Sequence, residues 1–184
     1  MLTWPARRQV RAFGRTYGYD VTYIEEMLDA GGVAAVRPLM ALQKLAHGYR
    51  AAPPVLLTGA AITAAILGDC GPCAQLGVTM FERAGIDPAL LRAVAAGDRA
   101  AMPEEARLGS DFARATLARD GSDVPLRDEI VRRYGRRALI ALAYAITASQ
   151  AYPNLKYALG HGHACVRLTV AGEAVPTARE PVRT

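Results

Sequence analysis

Residues 55–73 read VLLTGAAITAAILGDCGPC, and the fold turns on this stretch. From Val55 to Leu67 there is no charge, and Gly59, Ala60, Ala61, Ala64 and Ala65 are small enough to let a partner helix come close. Pro53-Pro54 restarts the chain just before it. An uncharged segment of this length reads as a helix buried in a core, well short of the ~20 residues that a membrane span needs. Gly68-Asp69 interrupts the pattern, and Cys70-Gly71-Pro72-Cys73 opens the next helix, with Pro72 suited to a first turn. Two thiols so spaced at a helix start can close a small disulfide, and the unpaired amides and dipole there favour a thiolate. A redox dithiol follows. A structural metal half-site, or two idle buried thiols, are the other uses of a lone C-x-x-C.

Outward from this stretch the pattern stays helical. The 184 residues include 36 Ala and 3 Phe, which favours small-residue helix packing over a β-sandwich, so the class is expected to be all-α. With 52% hydrophobic and 21% charged residues the chain has material for one packed core and is not of disordered composition. Residues 1–20 are read as an Arg- and Gly-rich arm able to pack on a neighbour, 21–170 as the helical domain, and 171–184 as a loose tail. Helical spacing of Tyr23, Ile24, Met27 and Leu28 ends at Gly31-Gly32, and a second helix carries Leu39, Leu42, Leu45, Ala46 and Tyr49. Asp87-Pro88 starts a short helix closed by Gly97, and Pro103-Glu104-Glu105 starts another that runs to Asp120-Gly121. Gly135 separates a helix over 123–134 from an uncharged one over 138–151, whose 138–148 core is also expected to be fully buried. Beyond Pro153 come a turn or two to Leu159 and a short strand, Val166 to Val170.

The formal charge of +5 is carried by 20 Arg and 2 Lys, and only Arg132, Arg133, Arg136 and Arg137 cluster. No helix-turn-helix or aromatic stacking pattern surrounds them, so they read as a solvated helix end and no nucleic acid is expected as a partner. Met1 to Arg11 has no apolar core of a secretory signal. A cytoplasmic protein without membrane contact is the expectation. His47 reads as a dipole partner at a helix end. His161, His163 and Cys165 form a compact set that, with Cys70 and Cys73, would complete a zinc or iron site. Their spacing matches no finger pattern, so a Gly-rich turn is preferred, with no metal or cofactor expected.

The letters CGPC also occur in thioredoxins, but that fold needs a strand before the motif and a Trp beside it. Here an Ala-rich helical segment precedes it and Asp69 stands at the Trp position. The arrangement resembles instead the alkylhydroperoxidase D-like family of the carboxymuconolactone decarboxylase superfamily. The likeness rests on Cys70-Gly71-Pro72-Cys73 after a buried helix, the stretch 85–98 (GIDPALLRAVAAGD), Phe112-Ala113-Arg114-Ala115, and the stretch 138–144 (ALIALAY). It extends over about residues 55–160, and the first fifty residues carry no part of it.

The resemblance implies a helical bundle with the C-x-x-C at a helix N-terminus, assembled as a homo-oligomer, a trimer or a multiple of one. It implies a thiol-disulfide oxidoreductase or peroxidase-like activity in which Cys70 and Cys73 cycle between dithiol and disulfide. A hydroperoxide or other small molecule would be the substrate, and a disulfide-bearing protein the reductant. By position, the more exposed Cys70 would meet the partner disulfide and the deeper Cys73 would sit by the family's proton relay. That relay uses a Glu three turns upstream and a His one turn after the second Cys, and here those positions hold Thr58 and Gly77. Asp69 is the nearest substitute base, although its charge would raise the thiol pKa and an Asp before a helix more often caps it. Two other readings accompany this one: a lyase acting on a small carboxylate held by Arg, as in the decarboxylase branch, and a non-catalytic oligomeric scaffold or binding protein.

Overall fold

Two helices, α1 (Thr3–Tyr17) and α2 (Thr22–His47), lead into a central helix α3 (Pro54–Leu67). Then come α4 (Gly71–Arg83), α5 (Pro88–Ala96), α6 (Glu104–Ala118), the long α7 (Asp123–Ala158), and a hairpin of β1 (Arg167–Val170) with β2 (Glu173–Pro176). The computed structural model describes residues 3–163 and 167–178. The class is all-α, as the composition implies, with two short antiparallel strands.

Because α3 has no polar face it has no need of water, and α4, α5, α6 and α7 all pack on it. Ten of its fourteen residues are buried. The closest crossing is with α6, where a Cβ on Gly59 would be driven into the Ala106 carbonyl and one on Gly109 into the Leu56 carbonyl. The Thr63 hydroxyl donates to that of Ser110 across the same interface, at 2.8 Å. The bends expected at Gly32 and Gly135 are present, with φ of 62° and 80° inside α2 and α7.

Three helical expectations need correction. Pro153 does not break α7, which runs through it to Ala158; the ring is buried against Gly68, and this packing offsets the missing backbone bond. The uncharged stretch after Gly135 is buried on one face only, through Ala138, Ala141, Leu142 and Ala145, while Ile140 and Tyr144 are exposed. Residues 3–17, read as an arm, are a helix that packs on its own chain. Val10, Phe13 and Tyr17 join Tyr19, Tyr23 and Leu28 in a cluster, flanked by Arg7–Asp29 and Arg11–Glu25 pairs.

At the other end, residues 173–176 of the expected tail are a strand. Leu168, Val170 and Val175 pack with Leu91 and Val94 in the core. The Gln75 amide completes the edge, donating to the Thr169 carbonyl at 2.9 Å and accepting from the Thr169 N–H at 2.7 Å. The rest of the tail, 179–184, lies outside the described residues. The Arg group is a solvated face: Arg132 and Arg133 pair with Glu129, Arg133 also reaches Glu104 at 2.7 Å, and Arg137 reaches the Tyr49 hydroxyl at 3.3 Å. Among the described residues, no helix is long and apolar enough to cross a membrane.

Candidate functional site

The two cysteines are presented where α3 turns into α4. Asp69 takes a left-handed backbone (φ 52°) at the turn, and its carbonyl accepts a hydrogen bond from the Tyr157 hydroxyl at 2.8 Å. The N-cap residue of α4 is Cys70, not Asp69, and no side chain of it makes a capping bond. The capping role expected of Asp69 is thus replaced by a backbone role. The segment after α7 holds this helix start in place: Gly71 N–H donates to the His163 carbonyl at 2.9 Å, and His161 N–H to the Lys156 carbonyl at 2.8 Å.

Both cysteines are free thiols. Their exposure is the reverse of the expectation. Cys70 is 0% exposed, next to Gly71, which is tied to the His163 carbonyl, whereas Cys73 is half-buried and lines a cavity. Hydrogen bonding from the Cys73 thiol and from the backbone N–H groups of Cys73 and His163 favours a negative charge on the Cys70 sulfur. Led by the Cys73 thiol, and aided by the Lys156 charge, these outweigh burial and lower the Cys70 pKa to about 6. The same bond, then burial, then the Cys70 charge push Cys73 above the usual thiol range. The pair therefore shares one negative charge and resists a second.

This sharing has a stability consequence. Between pH 6 and the ordinary thiol pKa of ~8.5 the unfolded chain binds one more proton at these sites than the folded chain, so stability rises with pH. Above that pKa both thiols ionise in the unfolded chain but only one in the folded chain, and the slope changes sign. Denaturation of the reduced protein across this range is expected to show a maximum near pH 8 to 9, and alkylation of both sulfurs should flatten it. A monotonic curve would contradict the shared charge.

The cavity has a volume of about 140 Å³ and lies between the α1–α2 pair and the faces of α3, α4 and α7. Along α3 its wall runs from Leu57 to Ala65, a length of about 12 Å at 1.5 Å per residue. Cys73, which follows the end of α3, stands at one end with Tyr19, Tyr23 and Tyr152; Gln43, His47 and Arg50, which precede the start of α3, stand at the other. Burial raises all three phenols, Tyr23 to about 12, so they remain protonated donors. Gly77 also faces the cavity, and a Cβ there would touch only the Ile62 Cδ1, at 3.6 Å.

Of the two relay positions, then, Gly77 lines the cavity and Thr58 does not; Thr58 is buried, and its hydroxyl donates to the Pro54 carbonyl at 2.8 Å. His47 lies in the last turn of α2 as expected, with Nδ1 3.0 Å from Arg50. Desolvation and then the Arg50 charge hold its pKa below the ordinary imidazole value. The His161 ring is taken by Glu26 at 2.8 Å, and His163 acts through its backbone. Among the described residues no group of three metal-binding side chains comes together, and Cys165 lies outside the described residues.

Sequence reasoning passed over Lys156. It is 1% exposed at the end of α7, its Nζ is 5.0 Å from the ring centroids of both Tyr19 and Tyr23, and its charge acts on both sulfurs. The available signal was compositional: one of 2 lysines in a chain with 20 arginines, one turn after Tyr152. No family model matches the chain, and no curated protein or solved structure matches it either.

Proposed function

We propose that the protein is a dithiol peroxidase of the alkylhydroperoxidase D-like kind, reducing small organic hydroperoxides with the Cys70–Cys73 pair. One observation carries this reading: two free thiols three residues apart at a helix start, sharing one negative charge, one of them facing a cavity. Cys73 is the sulfur a substrate reaches, so it is the nucleophile, and the proton on it passes to Cys70 along their shared bond. The Cys73 thiolate attacks the terminal peroxide oxygen; the O–O bond breaks, the sulfur is oxidised to a sulfenic acid, and the leaving alkoxide takes the proton held by Cys70, becoming an alcohol and returning Cys70 to a thiolate. The Cys70 thiolate then attacks the Cys73 sulfur, forming the disulfide and releasing the hydroxyl, which is protonated to water. Two thiols and one hydroperoxide give one disulfide, one alcohol and one water. A dithiol, free or carried by a disulfide-forming protein, returns the electrons by exchange.

Mass mapping after one equivalent of cumene hydroperoxide tests the reading. A Cys70–Cys73 bond with loss of both free thiols is expected. Two thiols that stay separate would refute it and return the protein to the non-catalytic alternative.

The cavity favours an apolar body on the substrate. Its volume is close to the ~150 Å³ that accommodates benzene in an apolar protein cavity. Gly77→Leu should fill part of it while adding a good helix former to α4, so the fold should hold. The ratio of kcat/KM for cumene hydroperoxide to that for hydrogen peroxide is expected to fall by about tenfold. An unchanged ratio would place the substrate elsewhere. Arg50 at the far end supports a second reading, a lyase acting on a small carboxylate; turnover of such an acid retained in a Cys70→Ser/Cys73→Ser variant would favour it.

A further inference from the structure

Lys156 is buried, and its Nζ has no hydrogen-bond partner among the described residues. A solitary ammonium in an interior persists only against a compensating charge or by losing its proton. The ring faces of Tyr19 and Tyr23 supply part of the compensation but no full charge. The titratable groups around it come from the α1–α2 loop, α2, α4, α7 and the turn after α7. Asp20, before α2, is exposed and already accepts from the Thr22 N–H at 2.9 Å and its hydroxyl at 2.6 Å. His161, after α7, is paired with Glu26. Tyr19, Tyr23 and Tyr152 remain neutral phenols. From α4 there remain Cys70 and Cys73, the only interior groups among these able to carry a negative charge near neutral pH.

We infer that Lys156 is a positioning residue whose ammonium fixes one negative charge on the Cys70–Cys73 pair, in place of a Glu/His proton relay. The inference rests on the dithiol reading above. The placement suits the chemistry twice over. A fixed positive charge on the residue next to Tyr157, whose hydroxyl holds the Asp69 carbonyl just before α4, adds to the helix dipole in keeping a thiolate ready. When the disulfide forms, both sulfurs become neutral and the ammonium is left without its counter-charge. The oxidised state is penalised, and the pair is a stronger oxidant than the same loop would be without Lys156.

Lys156→Met keeps the length of the side chain and removes the charge. In the reduced full-length protein the first thiol ionisation, followed by thiolate absorbance, is expected to move up by about one pH unit or more. The equilibrium with oxidised and reduced glutathione should shift about tenfold toward the disulfide. Removing a solitary buried charge should also raise the melting temperature, and more so in a Cys70→Ser/Cys73→Ser background, where the thiolate is gone. A merely structural lysine would leave the thiol titration and the glutathione equilibrium where they are, and that result would overturn the inference. Should Met not be tolerated, Lys156→Leu and the same cycle in the Ser background give the same decision. The two readings fail separately: a wild type that never forms the Cys70–Cys73 bond refutes the peroxidase, whereas an unmoved titration in Lys156→Met refutes only the role of the lysine.

Discussion

Cys73→Ser is expected to abolish hydroperoxide turnover, by on the order of a thousandfold or more, because it removes the only thiol among the described residues that lines the cavity. Cys70→Ser should behave differently. Its Cys73 still meets the substrate, so one equivalent of peroxide is consumed and a sulfenic acid accumulates, trapped by dimedone and visible as an added mass on Cys73. Turnover then stops for want of the second sulfur. The rate of that single round should also fall, since Cys70 is the group that accepts the Cys73 proton. The opposite pattern, with the sulfenic acid found on Cys70 in a Cys73→Ser protein, would mean that substrate approaches through the 161–163 turn, and the cavity would lose its assignment. Both substitutions exchange one small side chain for another, so melting temperature serves as the check that the fold is intact.

What sequence could supply here was local, and what it missed was contact between distant segments. The uncharged run of α3, the bends at Gly32 and Gly135 and the Asp87 cap on α5 are all readable from the residues themselves. Each depends on neighbours a few positions away. Spacing likewise places Cys70 and Cys73 together at a helix start. Which sulfur is covered is not a local property: the start of α4 is tied to a turn some ninety residues on, where the His163 carbonyl takes the Gly71 N–H. The cavity is non-local in the same way, since one wall comes from α1 and α2, far in sequence from Cys73. Tyr19, Tyr23 and Lys156 become a site only because α2 and the last turns of α7 meet, and no periodicity within either helix announces it.

The largest effect on stability is expected from the smallest change, Gly59→Ala or Gly109→Ala. Helix propensity alone argues that either should stabilise, by about 1 kcal/mol. The crossing of α3 and α6 argues the reverse, because each new methyl would point into a backbone carbonyl of the facing helix, which cannot rotate aside as a side chain can. Overpacking of a tight core costs about 1–3 kcal/mol and more where backbone must move, so the steric term wins and a net loss of about 2 kcal/mol or more is expected. Denaturant midpoints at unchanged m-value would measure it. The two sites face each other, Gly59 against Ala106 and Gly109 against Leu56, so once α3 has been displaced by one methyl the second meets less resistance. The double variant should therefore lose less than the sum of the singles. Full additivity would mean that the helices yield independently at the two points. The same displacement moves Leu57 and Ala61, which share this stretch of α3 with Gly59 and line the cavity, so the ratio of bulky to small hydroperoxide turnover should change along with stability. A stability loss without that change would show that α3 can shift as a unit without reshaping the wall it presents to Cys73.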